Sequence, residues 1–141
     1  MNVSEERLRD WIEKADHDLG TAIIINKYIK EYSDTLAFHC QQAVEKYIKC
    51  LLEKHLITFK KSHDLRYLLD ILNDAIKIDV SLYEKIIKLN AFGVEIRYPD
   101  IKIELTEIQR NEAIIIAKEI REFLKKNIEF DIDKMTSNPL D

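Results

Sequence analysis

The chain has 141 residues, 46% of them hydrophobic, with 22 lysines and arginines against 26 aspartates and glutamates for a formal net charge of −4. That length suits one domain with a core of its own. The acidic balance excludes a dedicated duplex-DNA binder, whose affinity depends on neutralising phosphates, and two glycines and two prolines are too few for the many turns of a strand-rich fold.

Apolar spacing predicts helices throughout. Ser4 caps a first helix that runs to about Lys30, with Glu5 and Glu6 at its positive start. Leu8, Trp11, Ile12, Ala15, Leu19, Ala22, Ile23 and Ile29 share one face of it, and His17 lies opposite. Ser33 or Asp34 caps a second helix that runs to about His55. Its apolar face holds Leu36, Ala37, Cys40, Val44, Tyr47, Ile48 and Leu51, while His39, Gln42, Lys46, Lys49 and Glu53 lie opposite and Gln41 and Glu45 at the boundary. Residues Leu56 to Lys61 read as a loop. A third helix starts near Ser62 and packs through Leu65, Leu68, Leu69, Leu72 and Ile76.

Ser81-Leu82-Tyr83-Glu84 has the capping-box form and opens a fourth helix. Between Gly93 and Leu105 the apolar residues alternate around Pro99-Asp100, which allows either a small hairpin or a helix that breaks at the proline; the helical version is preferred. Thr106-Glu107-Ile108-Gln109 opens a fifth helix that ends near Asn127. Ala113, Ala117, Ile120 and Leu124 form one stripe of it, and Ile108 and Ile115 a second on the far side. A helix apolar on two sides is central in a bundle or lies at an oligomer interface. The domain is expected to span 1–130, with a frayed polar tail over 131–141. The fold class is therefore all-α, an antiparallel up-and-down bundle of four to five helices.

Cys40 and Cys50 lie on one helix, with Cα atoms about 15 Å apart at ~1.5 Å rise per residue. A disulfide needs less than about 7 Å, so both are expected as reduced thiols in the core. No leader pattern opens the chain, and no apolar run approaches the ~20 residues of a membrane span. A cytoplasmic protein is expected.

Three stretches carry potential chemistry. Lys60, Lys61, Ser62 and His63 lead into the third helix, whose unpaired N–H groups can hold a phosphate; alternatively Ser62 caps, Asp64 complements the helix dipole, and the lysines are solvated. Gln42, Lys46 and Lys49 align within a third of the second helix, as a contact surface or as an ordinary solvated face. In Arg97-Tyr98-Pro99-Asp100, Arg97 offers a planar fork for a phosphate and Tyr98 a ring for a base, or else Arg97 pairs with Asp100 and Tyr98 joins the core. His17, His39 and His55 do not make a metal set, with no neighbouring carboxylate or cysteine at ligand spacing for His17 and His39, so no metal is expected. No cofactor is expected either.

These stretches, with Ala15-Asp16-His17-Asp18-Leu19, Phe38 through Leu51, and His63-Asp64-Leu65, resemble the HEPN family from about Arg9 to Phe123. The resemblance implies a helical bundle that is usually a homodimer and is often encoded beside a minimal nucleotidyltransferase in toxin–antitoxin-like pairs. It also implies binding of a nucleotide or RNA phosphate through Lys46, Lys49, His63, Arg97 and Tyr98. Many members are metal-independent ribonucleases that use an Arg, four to six intervening residues, then a His. After Arg97 that His would fall at 102–104, where Lys102, Ile103 and Glu104 stand. The ribonuclease motif is absent, so a binding module is expected in preference to an enzyme. The rival readings are a ribonuclease toxin using Arg97 in a variant site, and a non-catalytic scaffold.

Overall fold

The structure is a computed structural model. It describes residues 3–95, 99, 104–136 and 140, with residues 92–95 described by backbone alone. The described residues form five helices and no strand: α1 (Glu5–Tyr28), α2 (Ser33–Lys54), α3 (Leu65–Ala75), α4 (Val80–Glu95) and α5 (Glu107–Lys126), followed by a 3-10 turn at Ile132–Lys134. The all-helical expectation holds, and for Gly93 to Glu95 the helical version is the observed one. The rest of the ambiguous stretch that lies at 96–98 and 100–103 falls outside the described residues.

Helix α2 is the centre, because α1, α3, α4 and α5 all pack against it. It buries Leu36, Tyr47, Ile48, Leu51 and Leu52 completely. Helix α1 runs antiparallel to it: Cys50 Sγ donates to Leu8 O near one end, and His39 meets Asp18 nearer the other. Helix α5 is antiparallel to α1, since Arg121 reaches Asp16 while Asn26 reaches Asn111. Lys85 with Glu119 and Lys88 with Glu112 align α4 antiparallel to α5.

The caps follow local chemistry. Ser4 Oγ accepts from Arg7 N at 3.2 Å, and Thr106 with Gln109 forms the expected reciprocal capping box. Three caps differ from expectation. Tyr32, not Ser33 or Asp34, holds the cap position of α2 and makes no side-chain cap bond; the Ser33 hydroxyl instead accepts from Leu105 N at 3.0 Å, tying the approach to α5 onto α2. Asp64, not Ser62, caps α3 by accepting from Arg66 N at 3.0 Å. Asp79, not Ser81, stands before α4 and accepts from Leu82 N at 3.4 Å. An ionised carboxylate is the better acceptor at a helix start than a neighbouring hydroxyl.

The segment expected to fray is docked as far as Thr136. Ile132 is fully buried. Arg121 donates to Asp133 Oδ1 at 2.8 Å and to Ile132 O at 3.3 Å, and the Thr136 hydroxyl donates to Asp16. Asp16 itself is buried and also receives the Tyr47 hydroxyl and the Arg121 guanidinium. Burial, then the Asp16 charge, pushes the Tyr47 hydroxyl well above the usual phenol range. Burial likewise raises both thiols, Cys50 to about 12; both cysteines are free and in the core, as expected.

Helix α2 ends in a left-handed residue. Leu56 has φ 58, Ile57 N donates to Leu52 O at 2.9 Å and Leu56 N to Glu53 O at 3.0 Å. This is the helix-ending pair of bonds that glycine ordinarily supports.

Two substitutions test this packing. Arg121→Ala leaves the Asp16 carboxylate buried without its cation and is expected to cost about 3–5 kcal/mol, read as a lowered urea midpoint; an unchanged midpoint would refute the linchpin role of this pair. Leu56→Gly relieves the left-handed strain of a side chain that is 57% exposed and is expected to stabilise by about 0.5–1 kcal/mol, read in the same way.

Candidate functional site

The face of α2 that the sequence reads as solvent-facing is a seam of paired charges. Glu53 receives Arg7 Nε at 2.9 Å and its Oε2 also takes the Trp11 indole N–H, both from α1. Asp18 of α1 accepts the Lys46 ammonium and meets His39 Nδ1 at 2.8 Å. Glu45 receives Lys49 Nζ at 3.2 Å and meets His63 Nδ1 at 3.0 Å. Two of these clusters share one plan: a carboxylate bridges a lysine and an imidazole.

Lys46 and Lys49 are therefore not free surface cations. Lys49 is buried, with 8% of the residue exposed, and Lys46 is half-buried. Glu45 and Gln41, expected at the boundary, are buried too, at 3% and 2%. The physical reason is that α2 is covered on several sides, so its polar face is an internal one. Charges taken from water must be paired there.

His63 is placed differently. It lies in the connection before α3, and its side chain keeps 61% exposure while Nδ1 stays at Glu45. Its Nε2 makes no hydrogen bond among the described residues. Lys60 and Lys61 precede it and are exposed. Asn90 of α4 accepts from Leu65 N at 3.1 Å, so α4 passes the start of α3 and continues to Glu95. Arg97 and Tyr98 fall outside the described residues. Lys46, Lys49 and His63 thus come together along α2, each bound to a carboxylate.

The sequence reading missed those carboxylates. Asp16 had a usable signal: it follows Ile12 by four residues and precedes Leu19 by three, within the apolar stripe of α1, where an ionised group demands a partner. Arg121 had the same signal between Ala117 and Leu124 of α5. Asp18 had none, because its partners are 21 and 28 residues away. Among the described residues no group of three metal-ligating side chains forms, and no helix is long and apolar enough to cross a membrane.

Burial alone would raise the Asp18 carboxyl, but the hydrogen bonds and charges of His39 and Lys46 outweigh it and hold it below its ordinary value of 3.8. A lowered carboxyl contributes stability above its unfolded value and loses it as pH falls through the folded one. Acidification below about pH 4 is therefore expected to weaken the native protein in part through Asp18. In Asp18→Asn that part is gone, so urea midpoints measured between about pH 6 and pH 3 are expected to fall less steeply than in the wild type. Parallel slopes would refute the assignment.

Comparison with known proteins bears on this arrangement. The crystal structure of TT1696 from Thermus thermophilus superposes with a TM-score of 0.76 at 26% identity, covering 86% of this chain and 98% of that one. The crystal structure of ST0689, an archaeal HEPN homologue, superposes with a TM-score of 0.69 at 27% identity and the same 86% and 98% coverage. No curated protein matches the chain. The HEPN domain model matches residues 8–128, a span that takes in nearly all of α1, the whole polar seam of α2, the His63 approach and all of α5, and on that match the chain belongs to the HEPN domain family.

Proposed function

We propose that this protein is a HEPN module that binds a nucleotide or an RNA phosphate beside the start of α3, and that it acts as a homodimer with a minimal nucleotidyltransferase, in a toxin–antitoxin-like pair. The observation that carries the binding reading is His63. One of its nitrogens is held at 3.0 Å by buried Glu45, which orients the ring and leaves the other nitrogen facing out at the end of the basic Lys60-Lys61 approach. An oriented imidazole with two flanking ammonium groups matches the charge of a phosphate. Lys49 beneath it keeps the Glu45 charge compensated, so an arriving anion does not face an open carboxylate.

The family resemblance adds Arg97 and Tyr98, which lie outside the described residues, the first as a two-point phosphate donor and the second as a stacking surface. The second copy of the chain is assigned to α5, where Ile108 and Ile115 are 78% and 52% exposed on the stripe opposite the core. That exposure favours an interface over a central position for the helix.

The ligand reading is tested by titrating labelled single-stranded RNA and a nucleotide panel at two salt concentrations. His63→Ala and Arg97→Ala are each expected to weaken binding about tenfold, or ~1.4 kcal/mol. Removing one phosphate-binding group lowers the salt slope by about 0.7 for a single strand. His63 is exposed enough for its loss to leave the fold intact, and circular dichroism checks this. Binding equal to wild type in both variants, or no binding by the wild type to any ligand in the panel, would overturn the reading.

A further inference from the structure

Three basic residues are buried among the described ones: Lys49, Arg110 and Arg121, each no more than 9% exposed. Lys49 has Glu45 as its counter-charge, and Arg121 has Asp16 and Asp133. Arg110 has no carboxylate among the described residues. Its guanidinium lies where the start of α5 meets the last turns of α1. There Nε donates to Asn26 Oδ1 at 3.0 Å and Nη1 donates to Leu105 O at 2.9 Å. Both acceptors are neutral, and both are held in place. Asn26 Nδ2 donates to Asn111 Oδ1 at 3.0 Å, and Leu105 N donates to Ser33 Oγ at 3.0 Å. The guanidinium is thus fixed in its plane while its charge stays unbalanced.

A guanidinium carries five N–H groups. The three not used in these bonds, on Nη1 and Nη2, have no acceptor among the described residues. No fully buried side-chain polar atom among those residues lacks a partner, so this open edge of the guanidinium faces out of the fold. Glu104 and Glu107 stand nearby along the chain, but both are exposed and neither bonds it. The position is also a poor one for a cation. Arg110 reaches back past Thr106, the cap of α5, toward the positive end of the helix dipole. A buried cation with neutral partners beside a helix start is costly unless an anion completes it.

We propose that Arg110 anchors an oxyanion-binding site at the junction of α1 and α5. The ligand class is a small phosphate-type oxyanion, two of whose oxygens meet the Nη1–Nη2 edge in the two-point manner of guanidinium and phosphate. Asn26 and the Leu105 carbonyl are positioning groups that aim the fork. The site is separate from the one at His63. Ser33, which holds Leu105, lies about 18 Å along α2 from Glu45 at ~1.5 Å rise per residue. The inference therefore stands or falls apart from the phosphate reading above.

The test uses the full chain with inorganic phosphate as the probe, against chloride at equal ionic strength. The Arg110 Nε–H resonance, assigned through bonds to its own backbone, is expected to shift with phosphate along a saturating curve. The wild type is expected to melt about 5 °C higher at about ten times the dissociation constant. In Arg110→Gln the gain is expected to shrink to the small rise that phosphate gives any folded protein. The part lost belongs to this site, because His63 is present in both proteins. Glu95→Gln and Asp100→Asn test for a carboxylate supplied by the chain itself, since both side chains lie outside the described ones. Neither is expected to move the Arg110 resonance in chloride. A shift in either variant would show the fork already filled from within and would overturn the proposal. A wild-type resonance unmoved by phosphate would overturn it as well, and that readout stands even if Arg110→Gln is unstable.

Discussion

Helix α2 packs against the other four helices, and the charges on its covered face must be neutralised where they stand. A carboxylate or ammonium withdrawn from water costs several kcal/mol unless a partner of opposite charge with good geometry is present. That constraint organises the whole molecule. It draws Asp18 of α1 to Lys46, Glu45 to Lys49, and Arg7 of α1 to Glu53. Tyr47, on another side of the same helix, points to the Asp16–Arg121 pair that joins α1 to α5. The 3-10 turn after α5 closes over that pair and supplies Asp133 to the same guanidinium. The helices are held by apolar burial, but the pairing of charges selects their register, because a shift by one turn would strand several charges at once.

The pairs of this seam are not all sealed, which is what the proposed binding reading builds on. Glu53 takes its partners from the first turns of α1, whereas Asp18 and Glu45 hold imidazoles whose outer nitrogen makes no hydrogen bond among the described residues. A carboxylate that orients an imidazole fixes which nitrogen carries the proton. In a solvated histidine the ring rotates and exchanges tautomers, so much of its acid–base capacity is spread over unproductive geometries. In the Glu45–His63 pair the carboxylate is buried and the imidazole is exposed, so the rigid partner lies inside and the ring it orients faces water. Membership in the HEPN family places this architecture among related bundles with the same helical arrangement.

The legible part of the molecule was local. Stripes at helical spacing located α1, α2 and α5 to within a few residues, and the Thr106–Gln109 capping box was readable because its partners are three residues apart. The two cysteines were readable as separate core thiols from helix rise alone. Caps were less legible, since Ser33, Ser62 and Ser81 each had a competing acceptor or a distant donor. The docking of Ile132 and Asp133 was not legible, because the segment is short and polar and only the Arg121 guanidinium gives it a place.

By itself the sequence determined that the chain is helical, where the longest helices lie, and which family motifs it carries, because periodicity and capping depend on neighbours a few residues apart. Only the tertiary structure decided what Lys46, Lys49, His39 and His63 are. On a helix diagram all three α2 residues belong to a face that water would cover. In the fold that face meets α1 and the approach to α3, and carboxylates from 21, 28 and 18 residues away turn three of these four into members of two oriented imidazole clusters. The fourth, Lys49, completes the second cluster from four residues away on the same helix. Charge pairing across helices depends on which faces meet in space, and no spacing along the chain encodes that.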